Sequence, residues 1–140
     1  MRTIFFLVSA LFLVGCGGAD FTGTYSGSLI NSVTCSDGSG QTYALTSPVK
    51  ITDMGDELSI QMGGACDPLM ADAAGESATL RMKACPPTST NGVTAMVTFT
   101  SGSLSLKQNA LTVSVTATTQ MTGAIVGLCT GISSGTLTRP

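Results

Sequence analysis

The sequence predicts an all-β domain: a small antiparallel β-barrel or β-sandwich of about seven to nine strands, stapled by disulfides. Apolar residues recur at every second position along almost the whole chain from Phe21 onward. Ser, Thr, Gly and Val dominate, and their branched or small side chains suit a pleated, half-buried surface. Glu-, Lys- and Ala-rich runs with a 3.6 period, the mark of helices, are missing.

In the first strand Phe21, Gly23, Tyr25, Gly27 and Leu29 share one face, and Thr22, Thr24, Ser26 and Ser28 the other. Tyr43, Leu45, Val49 and Ile51 share a face of the second. Residues 52–56, rich in Asp and Gly, turn the chain into Leu58, Ile60 and Met62. Gly63 to Gly75 is the least regular stretch and reads as a long loop or one helical turn. Ala78, Leu80 and Met82 then oppose Thr79, Arg81 and Lys83, until Pro86-Pro87 stops the strand. Val93, Ala95, Val97 and Phe99 follow, then Leu104 and Leu106. Gln108-Asn109 makes a two-residue turn into the clearest strand, where Leu111, Val113, Val115 and Ala117 alternate with Thr112, Ser114, Thr116 and Thr118. Met121 to Thr138 reads as two short strands broken near Gly131.

The start of the chain has a different character. Arg2 precedes an apolar run from Ile4 to Val14, within the roughly 7–15 residues of a signal h-region and short of the about 20 that span a bilayer. Leu13-Val14-Gly15-Cys16 resembles the lipobox of bacterial lipoproteins. That resemblance implies a signal peptide over 1–15 that is removed, a lipid on Cys16, and a membrane partner through that lipid. Gly17 after the cysteine, rather than Asp, resembles lipoproteins sorted to the outer membrane. Residues 16–20 form a tether that reaches about 18 Å at full extension, and 21–140 make a single domain with no tail beyond it.

With Cys16 assigned to lipid, Cys35, Cys66, Cys85 and Cys129 are an even set for an oxidising compartment. A Cys₄ metal site competes poorly, because the chain has no CxxC pair and no His. Cys66 and Cys85 are symmetric about Gly75-Glu76, so a hairpin centred there pairs them. Cys35–Cys129 follows by elimination.

Composition narrows function. The net charge is −2, and the mature basic residues Lys50, Arg81, Lys83, Lys107 and Arg139 are scattered, which argues against nucleic-acid binding. Without His there is no Ser-His or Cys-His pair, and no Ser-x-x-Lys occurs, so an enzyme is not expected. Asp53, Asp56 and Glu57 cluster in a turn but lack the alternating ligand pattern of a Ca²⁺ loop. Asp37-Gly38 reads as a turn and Asp67 as loop polarity. Met54, Met62, Met70, Met82, Met96 and Met121 are too dispersed for Cu(I), and Met62 and Met82 read as core filler. With no Trp, a carbohydrate platform is disfavoured. No cofactor is expected.

Phe21-Thr22-Gly23-Thr24-Tyr25 resembles the Gly-x-Trp opening of lipocalin-type barrels, with Tyr25 in place of the Trp. In that family an Arg late in the last strand packs across the Trp, and the resemblance implies that role for Arg139.

Together these readings point to a non-catalytic, lipid-anchored module of the cell envelope that binds a small apolar ligand or an envelope protein. The alternative is a structural or adhesion role at the outer membrane, through the Thr/Ser-rich outer face. An interior cavity of about 300 Å³ or more separates the two.

Overall fold

A computed structural model describes residues 18–140 of the chain. The lipobox, with Cys16 and Gly17, lies outside the described residues.

The strands in chain order are β1 (Gly23–Cys35), β2 (Gly40–Leu45), β3 (Val49–Asp53), β4 (Glu57–Gln61), β5 (Leu69–Ala74), β6 (Ser77–Leu80), β7 (Lys83–Ala84), β8 (Thr88–Thr90), β9 (Val93–Lys107), β10 (Ala110–Gly123) and β11 (Gly127–Thr138). All pairings are antiparallel. The path β10-β11-β1-β3-β4-β5-β6-β9 returns to its start through a β9–β10 pairing. A ring of eight strands therefore closes: its pairs are consecutive in the chain except β1–β3, which skips β2, β6–β9, which skips β7 and β8, and β11–β1, which joins the last described strand to the first. Where the ring closes, it removes the unpaired edges that an open sheet would expose.

The ring is complete only at one end. β1 pairs with β3 through residues 23–25 and with β2 through residues 29–34, and both partners keep one register: Tyr25 faces Val49 and Leu29 faces Leu45. β2 and β3 are thus one strand opened at Thr46-Ser47-Pro48, so Tyr43, Leu45, Val49 and Ile51 do share a face. β4, β5 and β6 are short and stay at the end where the chain enters. At the far end, among the described residues, β2 and β8 each pair on one side only, and no pairing joins them.

Side-chain size follows this division. Phe21, Tyr25, Ile51, Leu58, Leu69, Leu111 and Leu137 are fully buried and fill the closed end. Burying each such side chain stabilises by about 1.5–3 kcal/mol. Toward the open end the inward positions of β11 shrink to Ser133 and Gly131, and those of β10 to Val115 and Ala117. Large residues pack one half, and small ones leave the other half hollow.

Four departures from the sequence reading have physical causes. β5 occupies Leu69–Ala74, inside the segment expected to be loop: Leu69, Ala71 and Ala73 point inward and Asp72 outward, a period of two that small alanines disguise. Met82 is 71% exposed rather than core: the alignment with β5 ends at Arg81, and Met82 falls in the gap between β6 and β7, both of which pair with β9. β11 runs unbroken through Gly131, whose missing side chain makes room for a neighbour: a Cβ there would lie 3.3 Å from Asn31 Oδ1. Finally, Val93–Phe99 and Leu104–Leu106 belong to one strand. Ser101 faces Thr116 and Phe99 faces Ala117, which leaves Thr100 as a bulge. Its Oγ1 donates to Thr116 O at 3.2 Å. The extra residue lets odd-numbered Val97 and Phe99 and even-numbered Leu104 and Leu106 all face inward.

Candidate functional site

The hollow half of the barrel is a cavity of about 310 Å³. Its floor is the upper surface of the packed core, formed by Leu29, Ile60, Leu69, Leu80, Leu104 and Val113. Its walls are Val97, Phe99, Val115 and Ala117 from β9 and β10, and Val33, Gly131 and Ser133 from β1 and β11. Tyr43 and Leu45 on β2 stand at the side where the ring is not closed. The volume is at the small end of the about 300–1,000 Å³ typical of ligand pockets. Among the described residues no charged side chain lines it.

Into this wall, mainly apolar and with Thr119 as a further polar side chain, the fold inserts a hydrogen-bonded polar row. Tyr43, Asn31 and Ser133 are direct cross-strand partners on β2, β1 and β11. Ser133 Oγ donates to Asn31 Oδ1 at 3.1 Å, and Asn31 Nδ2 donates to Tyr43 Oη at 2.6 Å. Among the described residues Asn31 is the buried polar side chain, 8% exposed. Its bonds on both sides offset the cost of removing an amide from water. Tyr43 is 41% exposed, at the mouth.

Two disulfides frame the open end: Cys35–Cys129 and Cys66–Cys85. Cys35 faces Cys129 directly across β1 and β11, above the polar row. The β5–β6 register, with Ala73 opposite Ala78 and Ala74 opposite Ser77, is centred on Gly75-Glu76, and Arg81 N donates to Met70 O in the same alignment. Continued, that alignment sets Cys66 against Cys85. The second disulfide lines a shallower cleft of about 270 Å³ that shares Met62, Val97 and Phe99 with the main cavity. Asp67 organises the loop beside it, accepting from the amides of Met62, Gly63 and Gly64 at 2.7–3.2 Å. Lys83 Nζ donates to the carbonyls of Cys66 and Pro68 at 2.7 and 2.8 Å, pinning β7 to the same loop.

The acidic turn serves local structure. Asp53 accepts from the amides of Phe21 and Gly55, and Glu57 pairs with Arg81. Among the described residues no group of three or more His, Cys, Asp or Glu is placed to hold a metal ion. Of the methionines, Met62 lines both cavities, whereas Met54 and Met96 are exposed.

The residues that sequence reading overlooked are Asn31, Tyr43 and Ser133. One signal was present: Asn31 stands at an inward position between Leu29 and Val33, where an apolar residue is the norm. At the opposite end Arg139 lies over the Tyr25 ring and donates to the carbonyls of Asp20 and Thr22 at 2.9 and 2.6 Å. Comparison with protein-family models, curated proteins and solved structures finds no match to this chain.

Proposed function

We propose that the chain is a lipid-anchored, non-catalytic module of the bacterial envelope that holds a small apolar molecule in the open half of its barrel. The observation that carries the reading is the cavity itself: about 310 Å³, apolar on its floor and most of its walls, and uncharged. A barrel built only as a structural element gains stability from filling that space, since close packing is the rule in protein interiors.

The anchor rests on the lipobox resemblance at Leu13-Val14-Gly15-Cys16. Ala19 N donates to Gly75 O at the closed end, so a lipid on Cys16 sets that end toward the bilayer and the mouth away from it. Outer-membrane placement rests on Gly17.

A second reading, contact with an envelope protein, draws on the outer face. Ile30, Leu128 and Ile132 are about half exposed, and Val126 in the adjoining turn is 79% exposed.

The test is mass spectrometry of an organic extract of the purified full-length protein, beside an Ala117→Phe variant whose ring occupies the cavity. The reading expects a reproducible small molecule with the wild type and its loss in the variant. An empty wild-type domain that also fails to bind a neutral apolar fluorophore overturns it.

A further inference from the structure

We infer that the cavity selects neutral, mainly apolar molecules carrying one hydrogen-bond acceptor, a carbonyl or hydroxyl oxygen, which Tyr43 Oη–H binds. This rests on the binding reading above and adds what the ligand must present.

The direction of the polar row supplies the argument. Ser133 donates to Asn31, and Asn31 donates to Tyr43. A hydroxyl that has accepted one bond still has a hydrogen to give. Among the described residues Tyr43 Oη donates no hydrogen bond, while Tyr43 lines the cavity at its open side. Each link polarises the next, so the chain of bonds ends in a strengthened donor. A ligand that only donates would leave that hydrogen unmatched.

Charge sets the second limit. Among the described residues no Lys, Arg, Asp or Glu lines the cavity. A carboxylate or ammonium entering it would lose its water without gaining a counter-ion, and such transfer is strongly unfavourable. The acceptor is therefore an uncharged oxygen. The floor of Leu80, Leu104 and Val113 takes the apolar remainder. Position agrees with this orientation, because the half-exposed tyrosine marks the rim and the buried leucines the depth.

The experiment displaces 1-aminoanthracene, a neutral fluorescent probe, from the full-length protein with 2-octanone, octanoate and toluene at pH 7. Wild type should bind 2-octanone and toluene, with octanoate at least roughly tenfold weaker than the ketone. Tyr43→Phe should weaken the ketone roughly two- to tenfold, the worth of one hydrogen bond, and leave toluene unchanged. Ser133→Ala, which removes the first donor of the row, should shift the ketone in the same direction by less. Circular dichroism of both variants controls for folding. Equal binding of octanoate and ketone, or a ketone affinity indifferent to Tyr43, overturns the inference while toluene binding leaves the cavity reading standing. A wild-type protein that binds neither the probe nor toluene overturns both.

Discussion

The Arg139 guanidinium carbon lies 5.7 Å from the centroid of the Tyr25 ring, so the end of β11 closes over the start of β1. The same guanidinium donates to two backbone carbonyls, and Tyr25 Oη donates to Phe21 O at 2.9 Å. The packed end of the barrel is sealed by this cluster. Arg139→Ala should cost about 2 kcal/mol, from charged hydrogen bonds and the ring contact together. Urea unfolding should show a lower midpoint with an unchanged slope. Arg139→Lys should recover only part, because one ammonium does not reproduce the planar fork.

Removing the disulfides should not cost the same for each. In the chain-entropy model, closing 94 residues with Cys35–Cys129 is worth about 4.7 kcal/mol, and closing 19 with Cys66–Cys85 about 3 kcal/mol. A Cys35→Ser/Cys129→Ser double variant should therefore unfold at lower denaturant than Cys66→Ser/Cys85→Ser. The reverse order would mean that loop 62–68 depends on its staple for more than chain entropy.

Acid should weaken the fold through exposed carboxylates. The Arg81 side chain holds Asp72 below its ordinary range, the Thr22 amide and hydroxyl lower Asp20, and the Ser39 hydroxyl and amide lower Asp37. Each has a folded pKa below its unfolded value near 3.9. Their contribution is therefore present above about pH 4 and is lost as pH falls through the folded values. Asp72→Asn should flatten that acid limb, and added salt should shrink the difference because the pair is exposed. At the alkaline end the sign reverses. Burial pushes the Tyr25 hydroxyl up, so its contribution is present below about pH 10 and is lost as pH climbs toward the folded value. Denaturant midpoints measured across pH would trace both limbs, and Tyr25→Phe should remove the second.

Asp67→Asn should loosen the wall between the two cavities. Its carboxylate gathers three amides, and charge-assisted bonds of this kind are worth roughly twice neutral ones. A loss of about 1–2 kcal/mol is expected. Faster hydrogen exchange at Met62, Gly63 and Gly64, ahead of any change in β10, would localise it.

How far the fold could be read in advance depended on side-chain bulk. Leu111 to Ala117 announced a strand because large and polar residues alternate there. Leu69 to Ala74 did not, because Ala71 and Ala73 carry little hydrophobic signal although both face the core. Gly131 looked like a break, and Gly135 lies in the same strand for the same reason: a Cβ at 135 would come within 2.7 Å of Ser28 O. That crowding comes from another strand, which local sequence does not reveal. The site was harder still. Asn31, Tyr43 and Ser133 form one row only once β1 is paired on both sides, and Ser133 lies 102 residues from Asn31 in the chain. Cys66 and Cys85 could be matched because their spacing about a single turn was itself visible, and that left Cys35 and Cys129 to pair.

The bulge at Thr100 also decides which insertions and deletions this barrel can tolerate. β9 spends 15 residues where β10 spends 14, and the surplus sits at one place. A gene lacking codon 100 would encode a regular strand whose Val97, Phe99, Leu104 and Leu106 still turn inward, at the expense of the local bend. Adding a codon beyond the bulge, between Ser103 and Leu104, would turn one half of β9 over relative to the other and bring hydroxyls where leucines now stand. The lineage of such a protein should therefore gain and lose length at that spot far more readily than anywhere else along the strand.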